Sequence, residues 1–277
     1  MTNLPNLPSD RKDLPIGIFD SGIGGMTVAQ AITVQMPSES FIYFGDTAHL
    51  PYGDKSVAAL QAYAIKITDM LLRQPVKAIL IACNTASSCV FDLVQEYVGS
   101  RAKVYNVIDP IVEMVAADFA GKKVGLIGTR QTVGSNIYKQ KLEAKDQHVH
   151  LQSLATPLLA PMVEEGFFKN NLSREVITGY LSSEKLAGIQ ALILACTHYP
   201  LIKEEIAAYY NGQVAVLDSS ETVAKYVRQS LQADGLLKED GAPDYKFFVS
   251  DYTQSFEEST RIFFGAKVPL ELYPIWS

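Results

Sequence analysis

Ala78-Ile79-Leu80-Ile81-Ala82-Cys83 and Ala191-Leu192-Ile193-Leu194-Ala195-Cys196 are nearly the same phrase, one in each half of the chain. Each is a short apolar run that stops at a cysteine and gives way to polar residues. Asn84-Thr85 follow the first, and Thr197-His198 follow the second. Apolar runs of this length, bounded by polar turns, read as strands buried on both faces.

Working outward, the first half shows strand signals at Ile16–Asp20, 41–44, 78–82 and 103–108, with helical patterns near 26–36, 56–73 and 86–98. The second half has strand signals at 124–127, 148–154, Ala191–Ala195 and 213–217, with helical patterns near 132–145, 172–187 and 219–232. Strands alternating with helices predict parallel sheets covered by helices. Gly17 matches Gly125, Cys83 matches Cys196, and Ile108-Asp109 matches Leu217-Asp218, all at a nearly constant offset. The expected fold class is α/β, with two facing pseudo-symmetric domains, each a mainly parallel sheet flanked by helices. A tail at 245–277 adds one strand (KFFVSD) and one helix near 255–264.

The composition sets limits. The chain has 277 residues, 48% of them hydrophobic and 19% charged, which suits a globular protein with a large core. A formal charge of -6 and the lack of a Lys/Arg run argue against nucleic acid as a partner. No apolar run approaches the roughly 18–20 residues of a membrane span. The first fifteen residues, MTNLPNLPSDRKDLP, lack the apolar stretch of a signal peptide and read as a loose leader. A cytoplasmic location is expected. The three cysteines, Cys83, Cys89 and Cys196, make no disulfide framework, and the four histidines show no zinc-finger spacing.

Ligands of parallel sheets bind beyond the carboxyl ends of the strands. Cys83 and Cys196 both stand at such ends, each in front of a predicted helix. A helix start favours anions, so each thiol is expected to have a lowered pKa. If the halves face each other, a small ligand lies between two thiols. That arrangement suits inversion of a stereocentre, which needs a base on one face and an acid on the other. Cys89 has no counterpart and reads as a small apolar residue.

The motifs are specific enough for a resemblance. Asp20-Ser21-Gly22-Ile23-Gly24-Gly25, Gly45-Asp46-Thr47-Ala48-His49-Leu50-Pro51-Tyr52-Gly53, Ala82-Cys83-Asn84-Thr85-Ala86 and Cys196-Thr197-His198-Tyr199-Pro200 resemble the glutamate racemases of the aspartate/glutamate racemase family. The likeness spans nearly the whole chain. It implies a cofactor-independent racemase that supplies D-glutamate for peptidoglycan, with its site in the cleft between two α/β domains. It also implies a discontinuous first domain, 1–109 with 219–277, and an inserted second domain, 110–218. A homodimer is expected.

Carried over by resemblance, Cys83 is the base toward D-glutamate and Cys196 the base toward L-glutamate. Asp20 and His198 are their polar partners, although Asp20 also reads as a helix cap. Glu164 matches a further acid, with Glu165 as the rival assignment. Ser21, Asn84, Thr85 and Thr197 resemble substrate contacts, as do Asp20 and His198. The turn Pro51-Tyr52-Gly53 offers backbone donors, and Thr129 stands in the second half where Ser21 stands in the first. Asp46 matches an acid that assists indirectly. No metal or pyridoxal phosphate is implied. The loop Gly22-Ile23-Gly24-Gly25 departs from the dinucleotide pattern G-x-G-x-x-G at Thr27 and reads as a tight loop into the cleft. Aspartate racemase, a thiol hydrolase using Cys196 and His198, and a non-catalytic binding protein are the alternative readings.

Overall fold

The computed structural model describes residues 11–276. Residues 1–10 of the expected leader lie outside the described residues, and Arg11–Asp13 form a single 3-10 turn.

Among the described residues, ten strands build two sheets. They are β1 (Ile16–Asp20), β2 (Phe41–Gly45), β3 (Ala78–Ile81), β4 (Lys103–Asn106), β5 (Lys123–Gly128), β6 (His150–Ala155), β7 (Ala191–Ala195), β8 (Ala215–Asp218), β9 (Tyr245–Val249) and β10 (Glu271–Leu272). One sheet has the order β10-β9-β2-β1-β3-β4 and the other β6-β5-β7-β8. Every pairing is parallel. The run β2-β1-β3-β4 therefore has the same order as β6-β5-β7-β8. The register repeats too: Gly17 pairs with Ile79, and Gly125 pairs with Leu192. The sequence repeat is thus a repeat of structure down to the residue. The strand of the tail, β9, pairs with β2 on the first sheet.

The helices are α1 (Met26–Gln35), α2 (Val57–Arg73), α3 (Asn84–Val98), α4 (Asp109–Asp118), α5 (Arg130–Gly134), α6 (Ile137–Ala144), α7 (Leu159–Glu164), α8 (Asn171–Leu181), α9 (Lys203–Tyr209), α10 (Ser219–Ala233) and α11 (Gln254–Phe263). They cover both faces of the sheets. Strands β1, β3 and β7 are buried along their full lengths, so they carry no alternation of polar and apolar residues.

Several boundaries differ from expectation for local reasons. The helix predicted over 132–145 is two helices, because Asn136 takes a left-handed conformation (φ 56°) that α-helix cannot continue. The strand predicted over 103–108 stops at Asn106, whose side-chain oxygen accepts from the backbone N–H groups of Ile108 and Asp109 and so opens α4. The helix predicted over 172–187 ends at Leu181. Helices α7 and α9 and strand β10 lie outside the predicted elements, being too short for their apolar spacing to show a period. Helix α4 also lies outside them, although at ten residues it is as long as α1. Among the described residues, no helix is long and apolar enough to cross a membrane.

Candidate active site

The carboxyl ends of β1 and β3 in the first sheet meet those of β5 and β7 in the second. Strand β1 ends in Asp20, which is fully buried. Its Oδ2 accepts from the Gly22 N–H at 3.0 Å, while Oδ1 has no hydrogen-bond partner among the described residues. Gly25 occupies the N-cap position of α1 and has no side chain to cap it. Burial raises the Asp20 carboxyl above the ordinary range, against the opposing pull of His198 and the N–H groups of Gly25, Gly22 and Ser21. The glycine loop exists for close approach. A Cβ on Gly25 would lie 2.6 Å from the Asp20 Cβ, and one on Gly24 would lie 2.5 Å from His198 Cε1.

Strand β3 delivers Cys83 to the N-cap of α3, where the Ala86 N–H donates to its sulfur at 3.5 Å. Ser21 Oγ lies 3.7 Å from the same sulfur. The expected lowering of its pKa does not occur. Burial and the neighbouring Asp20 carboxylate push the Cys83 thiol up to about 12, outweighing the Ala86 N–H and the Ser21 hydroxyl, and Cys196 adds to the rise. The helix start is present, but one N–H does not replace the water that a thiolate loses on burial.

Strand β7 delivers Cys196 to the same cavity from the second sheet. The segment after it also departs from expectation: a 3-10 turn, Tyr199–Ile202, precedes the short α9, so only Cys83 heads a long helix. Cys196 has a side-chain partner instead. Its sulfur is 3.5 Å from His198 Nδ1, and His198 Nε2 is 2.9 Å from Glu164 Oε1. The latter contact lies off the N–H direction, so it is an ion pair more than an aligned hydrogen bond. Burial disfavours the imidazolium, yet the Cys196 sulfur and the Glu164 carboxylate overcome it and hold His198 well above the ordinary histidine range. Glu164 faces the cleft from the end of α7, whereas Glu165 is exposed. Thr197 is buried beside them, its carbonyl accepting from Thr27 Oγ1 at 3.2 Å.

Polar groups ring the space between the thiols. Thr85 Oγ1 is 2.9 Å from Thr129 Oγ1 and 3.2 Å from Thr132 Oγ1, a hydroxyl triangle joining the two halves. Asn84 is buried; its Oδ1 accepts from the Tyr138 hydroxyl at 2.7 Å, and its Nδ2 has no hydrogen-bond partner among the described residues. The turn Leu50-Pro51-Tyr52-Gly53 forms another wall, with a cis bond before Pro51. A Cβ on Gly53 would lie 2.9 Å from Thr129 Cβ, so this turn touches the second half. Tyr52 donates to Asp46 Oδ2 at 2.7 Å. Burial and the Asp46 carboxylate hold the Tyr52 hydroxyl well above its ordinary pKa, so it stays a donor.

One narrow cavity collects nearly every expected residue. Ser21, Pro51, Tyr52, Gly53, Cys83, Asn84 and Thr85 line it from the first half, and Thr129, Glu164, Cys196, Thr197 and His198 from the second. Asp20 and Asp46 lie behind its wall, each fully buried. Leu50, Ala160 and Pro161 also line it and were not singled out. Tyr138 and Thr132 support it, but neither sits in a motif that could have revealed it.

The chain matches the Asp/Glu/Hydantoin racemase family over residues 26–227. It is 38% identical over 256 residues to the glutamate racemase of Chlorobaculum parvum, covering 92% of this chain and 94% of that one. It is 39% identical over 252 residues to the glutamate racemase of Neisseria meningitidis serogroup A, covering 91% and 93%. The glutamate racemase of Francisella tularensis, solved in complex with D-glutamate, superposes with a TM-score of 0.89 at 38% identity, covering 96% of this chain and 99% of that one. With paired thiols at matched strand ends and a likeness that runs almost end to end, the chain belongs to the Asp/Glu/hydantoin racemase family.

Proposed function

We propose that this protein interconverts L- and D-glutamate by proton transfer between Cys83 and Cys196, with no metal or organic cofactor. The observation that carries the reading is the pair of thiols lining one cavity, one from each sheet, each delivered by the equivalent strand of the repeat.

In the D-to-L direction, Cys83 as thiolate removes the α-proton and Cys196 as thiol gives its proton to the other face. The carbon keeps its electron pair throughout, and the thiol and thiolate forms exchange places. The α-carbon beside a carboxylate is a weak acid, so negative charge developing on that carboxylate must meet preorganised donors. Asn84 Nδ2 is unpartnered and buried, which suits it to this task. Thr85 and Thr197 supply hydroxyls, and the turn at Pro51–Gly53 faces the other carboxylate. Without substrate, Cys83 holds its proton, with the thiol pushed up to about 12. The Asp20 charge resists the thiolate, and the positive charge of a bound substrate ammonium offsets it. On the other side, the His198 imidazolium, held by Glu164, balances the charge that appears on the Cys196 sulfur during turnover. Asp20 thus acts through Cys83, and His198 through Cys196.

The same reading includes a first domain of 1–109 with 219–277 and an inserted second domain of 110–218, supported by the pairing of β9 with β2. It also includes a homodimer in the cytoplasm, with D-glutamate passed to peptidoglycan synthesis. The test is polarimetry of purified, chelator-treated protein with L-glutamate, and with L-aspartate in parallel. Glutamate is expected to become racemic, with exchange of its α-proton in deuterated water. Absence of that exchange, or activity restored only by added metal or pyridoxal phosphate, overturns the proposal.

A further inference from the structure

We infer that Trp276 is a positioning residue for the substrate wall, acting through Asp46 on the turn that carries Tyr52 and Gly53. Asp46 follows β2 directly and is fully buried. A carboxylate without water needs donors from the protein. Four side chains supply them. Tyr52 donates to Oδ2 at 2.7 Å, Ser250 to Oδ1 at 2.8 Å, and the Trp276 indole N–H to Oδ1 at 2.7 Å, while His49 Nδ1 lies 3.0 Å from Oδ2. Two of the four come from beyond β9, at the far end of the sequence.

The tail reaches this place along the sheet. The Tyr273 N–H donates to the Val249 carbonyl at 2.8 Å, extending the β10–β9 pairing toward the site. Trp276 then packs edge-on to His49 at 4.5 Å and to Tyr63 at 5.3 Å, and the Lys66 ammonium sits 4.9 Å from its ring centre. His49 itself stacks on Tyr63 at 4.0 Å. The loop from Asp46 to Gly53 is therefore gripped from behind by the tail and α2. In front, Tyr52 and Gly53 face the cavity. Removing the indole N–H leaves a buried carboxylate short of one donor, and the loop shifts to recover one.

The substrate part of this inference rests on the proposed glutamate reaction; the link between tail and loop does not. If the turn holds the carboxylate distant from the reacting carbon, its loosening weakens binding more than chemistry. The experiment compares wild type with Trp276→Phe, which keeps a packing ring and loses the donor. We expect KM for glutamate to rise about tenfold, equal to about 1.4 kcal/mol, with kcat within about twofold. Amide hydrogen exchange of residues 47–53 in the substrate-free variant should quicken about tenfold. A double-mutant cycle adds Asp46→Asn, and the double variant should be no worse than Asp46→Asn alone. Because Trp276 is the only tryptophan, wild-type fluorescence should change saturably on addition of D-glutamate. Unchanged exchange at 47–53 overturns the tail–loop link, whatever the activity. Quickened exchange with unchanged KM overturns the positioning role. A wild type that does not racemise glutamate sinks the proposed reaction, and the exchange measurement still judges the link.

Discussion

The Tyr138 hydroxyl, on α6 of the second half, donates to Asn84 Oδ1, at the start of α3 in the first half, at 2.7 Å. A primary amide presents an acceptor at one end and donors at the other. By holding the acceptor, Tyr138 fixes the side on which Nδ2 lies, and among the described residues that nitrogen has no hydrogen-bond partner. Burial holds the Tyr138 hydroxyl far above its ordinary pKa, so it remains a donor at any pH of interest. Tyr138→Phe should let the amide turn over and weaken substrate binding, raising KM about three- to tenfold, or about 0.7–1.4 kcal/mol. Steady-state kinetics in both directions check this, and an unchanged KM would count against the orientation argument.

Cys83→Ser and Cys196→Ser should each lose nearly all racemisation, since a hydroxyl is a far poorer base near neutral pH. A substrate analogue that eliminates a leaving group after deprotonation separates the two faces. Cys83→Ser should process only the L form and Cys196→Ser only the D form, while Cys89→Ser should racemise normally. Swapped preferences would reverse the assignment of faces. Full racemisation by either single variant would remove the two-base mechanism.

Cys83 also predicts a stability slope. Its thiol rises from 9.0 to about 12 on folding, so the native state keeps a proton that the unfolded chain gives up. The corresponding stability is present below pH 9.0 and is lost as pH climbs toward about 12. Denaturant unfolding of substrate-free wild type and Cys83→Ser should therefore show a gap that narrows as pH rises from about 8 to about 10. A constant gap would mean that burial does not hold the proton on this sulfur.

Asp20→Asn and His198→Asn should act unequally on the two directions, because each residue serves its own thiol. The enantiomer ratio at equilibrium cannot move, so the asymmetry belongs to the individual kinetic constants and isotope effects. Each loss should be about tenfold or more in one direction. Variants equal to wild type in both directions would argue against these roles.

Gly24→Ala tests the closeness of the halves. A methyl there would lie 2.5 Å from His198 Cε1 and 2.7 Å from Thr197 Oγ1, so the Cys196 side must move. Activity should fall about a hundredfold, as expected for misplacement on the order of 1 Å. Gly179→Ala is the control: nothing lies within 4 Å of the added methyl, and α8 should gain about 0.5–1 kcal/mol. Equal activity of the two variants would show that the contact at Gly24 is slack.

The sequence alone determined the repeat. AILIAC and ALILAC are continuous local signals, and a strand buried on both faces needs nothing beyond apolar residues and a polar stop. That sufficed to put Cys83 and Cys196 at equivalent strand ends, with Asn84, Thr85, Thr197 and His198 beside them. Short-range chemistry also marked the glycine loop and the turn at Pro51–Gly53. Choosing Glu164 over Glu165 was beyond it, because which of two adjacent carboxylates faces the cleft depends on the direction in which α7 packs.

Only the tertiary structure decided the electrostatics and the long-range supports. The protonation of Cys83 follows from how much water the folded chain removes around it, which no local motif reports. The His198–Glu164 pair and the Asn84–Tyr138 bond join residues far apart in sequence. Asp46 became the hub of the Tyr52 wall only because β9 carries Ser250 back to β2 and the tail brings Trp276 with it. Propensity acts over a few residues. Burial and charge pairing act over ångströms, and the distances are set only once the sheets have met.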